Sequence, residues 1–215
     1  MRKTVLFALL ACLVATPALA QQRRGEISGF FGVTFSEGID IDPTVIDGEI
    51  VREVSPTSGM SYGFDIGGFV TEQIMVGFSW NQQLSNLELE GASKREVADL
   101  TVSNYHGTVT YNFGFDSDMI RPFFYAGIGA THYSPGDVMG ANIDGRTQFS
   151  TTWGGGVKIY PTRNVGVNLS ARWTPTFIKA DPAGVWCSPY WGCFVVEELK
   201  YSNQFQLAAG VTIGF

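Results

Sequence analysis

The final stretch of the chain, Tyr201–Phe215, limits the fold more than any other feature. Tyr201, Phe205, Leu207, Ala209, Val211, Ile213 and Phe215 fall on one parity; Ser202, Gln204, Gln206, Ala208, Gly210, Thr212 and Gly214 fall on the other. A period of two is that of a strand whose side chains alternate between two faces. Here one face is greasy, the other small or polar, and the alternation runs to the last aromatic residue with no polar tail. Such a strand at an open sheet edge would recruit other chains. It is stable only where something covers the apolar face and another strand pairs the edge.

The same alternation recurs seven times upstream. Ile27, Phe31, Val33 and Phe35 oppose Glu26, Ser28 and Thr34, and Met60, Tyr62, Phe64 and Ile66 oppose Ser61, Gly63, Asp65 and Gly67. Ile74, Val76, Phe78 and Trp80 oppose Gly77, Ser79 and Asn81; Tyr105, Val109, Tyr111 and Phe113 oppose Asn104, His106, Thr108, Thr110 and Asn112. In "FFYAGIGATHY" the expected outward set is Phe124, Ala126, Ile128 and Ala130. Phe149, Trp153, Val157 and Ile159 oppose Gln148, Ser150, Thr152, Gly154 and Gly156. Val165, Val167, Leu169, Ala171 and Trp173 oppose Gly166, Asn168, Ser170 and Arg172. No segment carries a convincing helical period, and no linker or composition break divides the chain.

Connection lengths then alternate. Those after the second, fourth and sixth strands are short. Those after the first, third, fifth and seventh are long, and "NLELEGASKRE" is read as one of these loops. Within the first, "IDIDPTVIDGEIVREV" reads as a strand extension that turns at Asp47-Gly48. Its acids Asp40, Asp42, Asp47, Glu49 and Glu53 lack the ligand spacing of a calcium loop. Short turns on one rim, long loops on the other, an even strand number and apolar faces of about ten residues form the pattern of an outer-membrane barrel. The expected fold is therefore all-β: an eight-stranded antiparallel up-and-down transmembrane barrel with short periplasmic turns and long extracellular loops. Lipid covers the apolar face and the last strand pairs with the first. A two-sheet sandwich would alternate too, but loop asymmetry and the export signal oppose it.

That signal is "MRKTVLFALLACLVATPALA": a basic start at Arg2 and Lys3, an apolar run, and Ala18-Leu19-Ala20 as a cleavage site. Residues 1–20 are expected to be a cleaved signal peptide and residues 21–215 the barrel domain. A lipoprotein signal at Leu9-Leu10-Ala11-Cys12 is the rival, with Leu10 a poor fit. Removing Arg2 and Lys3 takes the formal charge from −6 to −8. An acidic chain of this kind argues against nucleic acid as a partner. Two cysteines then remain, Cys187 and Cys193 in "WCSPYWGC", and only two histidines occur in the whole sequence, so a loop disulfide is expected rather than a metal site. The neighbouring aromatics Trp186, Tyr190 and Trp191 are candidates for surface binding.

"RPFFYAGIGATHY" and "GGGVKIYPTRNVGVNLSARW" resemble paired strands of the small opacity-type and OmpA-like outer-membrane barrels. The terminal Phe215, after Ile213 and Val211, is similar to the signal by which outer-membrane assembly machinery recognises its clients. The resemblance covers essentially the mature chain. It implies a monomeric barrel with outer-membrane lipid, lipopolysaccharide and the assembly machinery as partners, an unknown extracellular partner, and no cofactor. No periplasmic peptidoglycan-binding domain follows Phe215, so a tethering role is not implied.

A structural or surface-interaction role is the primary expectation, with two alternatives. The first is a narrow channel for small or hydrophobic solutes, although eight strands leave an interior just wide enough for side chains to fill. Asp65, His106, Arg172 and Gln206 are expected to form a polar network in that lumen, with Asp65 as the partner of Arg172. The second is catalysis. His132 and Ser134 stand two apart on one strand face and are similar to the His-x-Ser arrangement of outer-membrane lipid A deacylases, with Asp137 or Asp144 as orienting acid. Pro135 stands where that family carries asparagine.

Overall fold

The structure is a computed structural model describing residues 23–37, 39–46, 49–90, 94–114, 118–136, 145–178, 186–188, 192–194 and 200–215. Eight strands close into an antiparallel barrel: β1 (Gly25–Ser36), β4 (Gly59–Phe69), β5 (Ile74–Glu90), β6 (Lys94–Asn112), β7 (Ile120–Pro135), β8 (Arg146–Ile159), β9 (Val165–Ile178) and β12 (Lys200–Gly214). Two hairpins belong to the long connections: β2 (Ile39–Ile46) with β3 (Glu49–Pro56), and β10 (Trp186–Ser188) with β11 (Gly192–Phe194).

Closure answers the problem posed by the last strand. β12 pairs β9 on one side and β1 on the other, with Ile213 opposite Ile27 and Phe205 opposite Phe35. At the seam the Phe215 carbonyl accepts from the Arg24 and Gly25 amides at 2.6 and 3.0 Å, and its own amide donates to Gly25. No barrel edge is left open, as hydrocarbon requires of any backbone it surrounds.

Inside and outside follow the alternation. Phe31, Phe64, Phe78, Val109, Phe124, Trp153, Leu169 and Leu207 all face out and are exposed. Phe124 and Ile128 are exposed while Tyr125 and Thr131 on the other parity are buried, so β7 has the expected orientation. The buried set is mostly polar, which inverts a soluble core: lipid replaces water outside, and polar groups must satisfy each other inside.

The short turns are held by local bonds. The Thr71 hydroxyl accepts from the Ile74 amide at 3.0 Å, and that of Thr162 accepts from Val165 at 3.1 Å. Gly114 adopts φ +95° after β6, where a side chain would be strained and would strike Asp118.

One connection differs from expectation. Most of "NLELEGASKRE" is strand rather than loop: β5 continues to Glu90 and β6 begins at Lys94, with a register irregularity at Leu87/Glu88. At 17 and 19 residues these strands exceed the nine to eleven that cross a bilayer, so the hairpin projects beyond it. There Leu87 and Leu89 still alternate with Glu88 and Glu90, and the strands stay paired to Glu90 opposite Lys94. β3 joins the projection by pairing with the end of β5, Glu53 opposite Glu90.

Candidate functional site

The lumen is filled in layers, built by the inward parity of all eight strands. Nearest the short turns, Arg121 on β7 and Lys158 on β8 are cross-strand neighbours. Both approach Glu26 from β1. Lys158 Nζ donates to Glu26 Oε2 and to Asn112 Oδ1, the latter at 3.0 Å. Arg121 Nη1 lies 3.8 Å from Glu26 Oε1, and the Tyr160 hydroxyl donates to the same oxygen at 2.8 Å. Glu26 and Arg121 are 1% and 0% exposed, so this carboxylate is sealed under its cations. Arg23 caps the group, its guanidinium 3.7 Å from the Tyr160 ring centroid and donating to the Arg163 carbonyl. Tyr160 lies just past β8 in the rim; burial, and then the Glu26 charge, push its phenol well up, so it stays a donor.

The middle layer centres on Arg172 from β9. Its Nε donates to the Tyr125 hydroxyl at 2.7 Å, Nη1 to Ser79 at 3.0 Å and Nη2 to Asp65 Oδ1 at 3.2 Å. The Phe30 ring lies 5.0 Å away. Arg172 is thus paired with Asp65, but the Asp65 side chain is 36% exposed, so the pair is not sealed. Between these two layers lies a cavity of about 30 Å³, lined in part by Ser28, Asp65, Thr110, Lys158 and Arg172. That is room for a water or two.

His106 and Gln206 belong to a third layer rather than to the Arg172 cluster. His106 Nε2 meets Ser150 at 2.9 Å, Ser150 meets Thr131 at 2.9 Å, and Thr131 lies 2.6 Å from Asn104 Oδ1. Asn104 donates to Asn81 at 2.7 Å, Asn81 reaches Gln206 at 3.4 Å, and Gln206 donates to Ser61 at 2.8 Å. No hydrogen bond joins His106 or Gln206 to Asp65 or Arg172 among the described residues, although register sets Gln206 directly opposite Arg172 and His106 in one row with Ser79 and Asp65. Above it Leu100, Val102 and Tyr133 form a buried apolar cluster.

Sequence reading missed Glu26 as the centre of the lowest layer. The signal was present: an acid on the inward parity of the first strand, with Lys158 inward near the same rim. Which cations it meets depends on register across the pairings β1–β12, β12–β9 and β9–β8 and, for Arg121, β8–β7 as well.

Asp65→Asn tests the middle pair. Since its carboxylate is partly exposed, the expected loss is about 1–2 kcal/mol rather than the 3–5 of a sealed pair. Urea titration of the refolded protein measures it; a loss above about 3 kcal/mol would show Asp65 to be buried in solution.

His132 and Ser134 lie on the outward parity of β7 at its long-loop end. His132 Nδ1 meets Thr147 Oγ1 at 2.9 Å, and no bond joins it to Ser134 among the described residues. Asp137 and Asp144 lie outside the described residues, as do Tyr190 and Trp191. Cys187 stands directly opposite Cys193 in the β10–β11 register, and Trp186 opposite Phe194. Phe215 is 61% exposed on the outer wall.

Three solved structures share the fold. The Neisserial surface protein NspA is 14% identical with a TM-score of 0.57, covering 89% of this chain and 97% of that one. The outer membrane protein OprG of Pseudomonas aeruginosa is 12% identical with a TM-score of 0.59, covering 92% and 99%. The outer membrane protein AlkL, solved in lipid bilayers, is 14% identical with a TM-score of 0.51, covering 93% and 94%. No curated protein matches the sequence significantly. The family description "Outer membrane protein beta-barrel domain" matches residues 5–212. With its closed eight-stranded wall, apolar outside and polar inside, the chain belongs to this family of outer-membrane β-barrels of bacteria.

Proposed function

We propose that this is a non-catalytic barrel with a structural or surface-interaction role, acting through its long-loop rim while its lumen stays closed to solutes. The observation that carries the reading is the filled interior: Glu26 with Lys158, Arg172 with Tyr125 and Asp65, and Asn104 with its amide partners span the lumen, and the cavity between the two lower layers is about 30 Å³. Liposomes carrying the refolded protein are expected not to swell in small sugars. Swelling above that of empty liposomes would favour the narrow-channel alternative. Lipid A from cells expressing the protein is expected to keep its mass; loss of an acyl chain that depends on Ser134 would favour the esterase alternative, whose support is that His132 and Ser134 share the outer wall.

Export and orientation belong to the same proposal. Cleavage after Ala20 is expected, and the mass of the protein recovered from outer membranes tests it. The turns near Glu72, Asp116 (which lies outside the described residues) and Arg163 would face the periplasm, and the β2–β3 hairpin and the loop holding Cys187 the outside. A tag inserted at Asp47 should then be labelled on intact cells. Labelling only after permeabilisation would reverse the orientation.

The loop carrying Cys187 and Cys193 is the proposed place of contact with an extracellular partner, and the two cysteines are proposed to be oxidised to a disulfide. Opposed positions in a hairpin suit a cross-strand bridge, and an exported chain meets oxidising conditions. Closing so short a ring removes loop entropy worth about 2–3 kcal/mol. Trp186, Tyr190 and Trp191 would then lose little freedom on binding. The Cys187→Ser/Cys193→Ser variant is expected to assemble with unchanged heat-modifiable gel mobility, because the barrel pairings lie elsewhere. Free thiols in the exported wild type would remove the disulfide from the proposal.

A further inference from the structure

Two ion-pair layers fill the lower lumen, and register explains the space between them. The inward row that contains Glu26 continues through Gly67, Gly77, Thr108 and Gly127. Its three glycines send no side chain inward, and a cavity of about 30 Å³ is left between Asp65 and Lys158. Asp65 stands on the inward parity of β4, so the 36% exposure of its side chain is exposure to this cavity rather than to lipid.

The lining is polar and incompletely bonded. Lys158 donates to Glu26 and to Asn112, which leaves one of the three N–H donors of its ammonium. Asp65 accepts from Arg172 through Oδ1, and its Oδ2 has no protein partner among the described residues. The hydroxyls of Thr108, Thr110 and Ser170 also line the cavity, and none bonds to another described residue. Left dry, the carboxylate oxygen and the three hydroxyls would each forfeit a hydrogen bond inside the protein.

We propose that the cavity is a binding site for about two ordered waters, which carry hydrogen bonds from Lys158 to Asp65 Oδ2 and take the three hydroxyls as further partners. One buried water occupies about 10–15 Å³ of such space, so the volume suits a pair. The lining selects water by sign. An anion would lie against the Asp65 carboxylate, and a metal cation against the Lys158 ammonium and the Arg172 guanidinium. Water both donates and accepts, and so meets every one of these groups. Asp65 then answers a cation in each layer, Arg172 directly and Lys158 through water. The two layers become one ionic unit that crosses the lower half of the lumen.

The test makes two measurements on the mature barrel refolded in phospholipid bicelles. Nuclear Overhauser effects from long-lived water are expected at the Thr108 and Thr110 methyl groups of wild type. They should disappear in Ser170→Leu, whose side chain fills the cavity. They should weaken in Thr110→Val, which keeps the volume and removes one hydroxyl; this variant serves should Ser170→Leu fail to fold. Gel mobility confirms assembly in each case. In urea titrations, Asp65→Asn should change the unfolding equilibrium constant at least about fivefold less in a Lys158→Met background than in wild type. Charges attract across a dry gap as well, so the proposal requires both results. Absence of long-lived water at these methyl groups would overturn it, as would additivity of the two substitutions within about twofold. Crystals grown in bromide or caesium salts test the rival occupants: an anomalous peak between Lys158 and Asp65 would make this an ion site and reject water.

Discussion

Glu26→Gln is expected to lower folding stability by about 3–5 kcal/mol, the range for removing one partner from a sealed ion pair. Glutamine keeps the size and shape of glutamate and can still accept from Tyr160, so the substitution isolates the charge. What it leaves is Lys158 and Arg121 side by side on neighbouring strands, both buried, with their shared anion gone. An ammonium in that position must shed its proton or draw water into the rim, and either disrupts the packing under Arg23 and Tyr160. Equilibrium unfolding in urea, followed by the fluorescence of the lipid-facing Trp153 and Trp173, measures the loss. The double variant Glu26→Gln/Lys158→Met should recover part of it, because the stranded cation goes with the acid. A loss under about 1 kcal/mol would mean that water already reaches Glu26 in the folded protein.

The second large effect is expected at a glycine. Gly154 on β8 faces the lumen, and a Cβ built there would fall on the Tyr125 hydroxyl and within 2.6 Å of the Ala171 carbonyl oxygen. Tyr125 is the group that holds Arg172 Nε. Gly154→Val therefore has two costs: overpacking of about 1–3 kcal/mol, and a hydrogen bond to a charged group worth about 1.5–3 kcal/mol if Tyr125 is pushed aside. About 3 kcal/mol or more of destabilisation is expected in the same urea titration. Tyr125→Phe in the Gly154→Val background should add little, because the bond it removes is already lost. Full additivity of the two would show that Tyr125 tolerates the new side chain and keeps its hold on Arg172.

These two sites differ in how far the sequence exposes them. Gly154 was legible as an inward small residue; that the Tyr125 hydroxyl lies against it was not. Arg172 and Asp65 were legible as partners, since both stand on inward parities at similar distances from short turns, and the structure brings them to 3.2 Å. The incomplete burial of Asp65 was not legible, because it depends on the cavity left among side chains from several strands. Glu26 was visible as an inward acid but without its ring of cations. The ends of β5 and β6 were read as loop although Leu87-Glu88-Leu89-Glu90 keeps the alternation, because Gly91 and the charged residues Lys94, Arg95 and Glu96 read as a long connection.

By itself the sequence determined the number of barrel strands, which face of each meets lipid, and the closure of the last strand on the first. The first two are local; the third follows because an apolar strand at either end of the sheet cannot be left with an open edge. Period-two alternation places each side chain in or out, turn residues set the short connections, and an apolar outer face with no helix to cover it leaves lipid as the cover. Only the tertiary structure decided which inward charges meet, how the lumen divides into layers, and which outward residues share a row. These depend on the stagger of all eight strands at once. A two-residue shift of β9 against β8 would preserve every alternation and still separate Glu26 from Lys158, and one of β6 against β7 would separate His106 from Ser150.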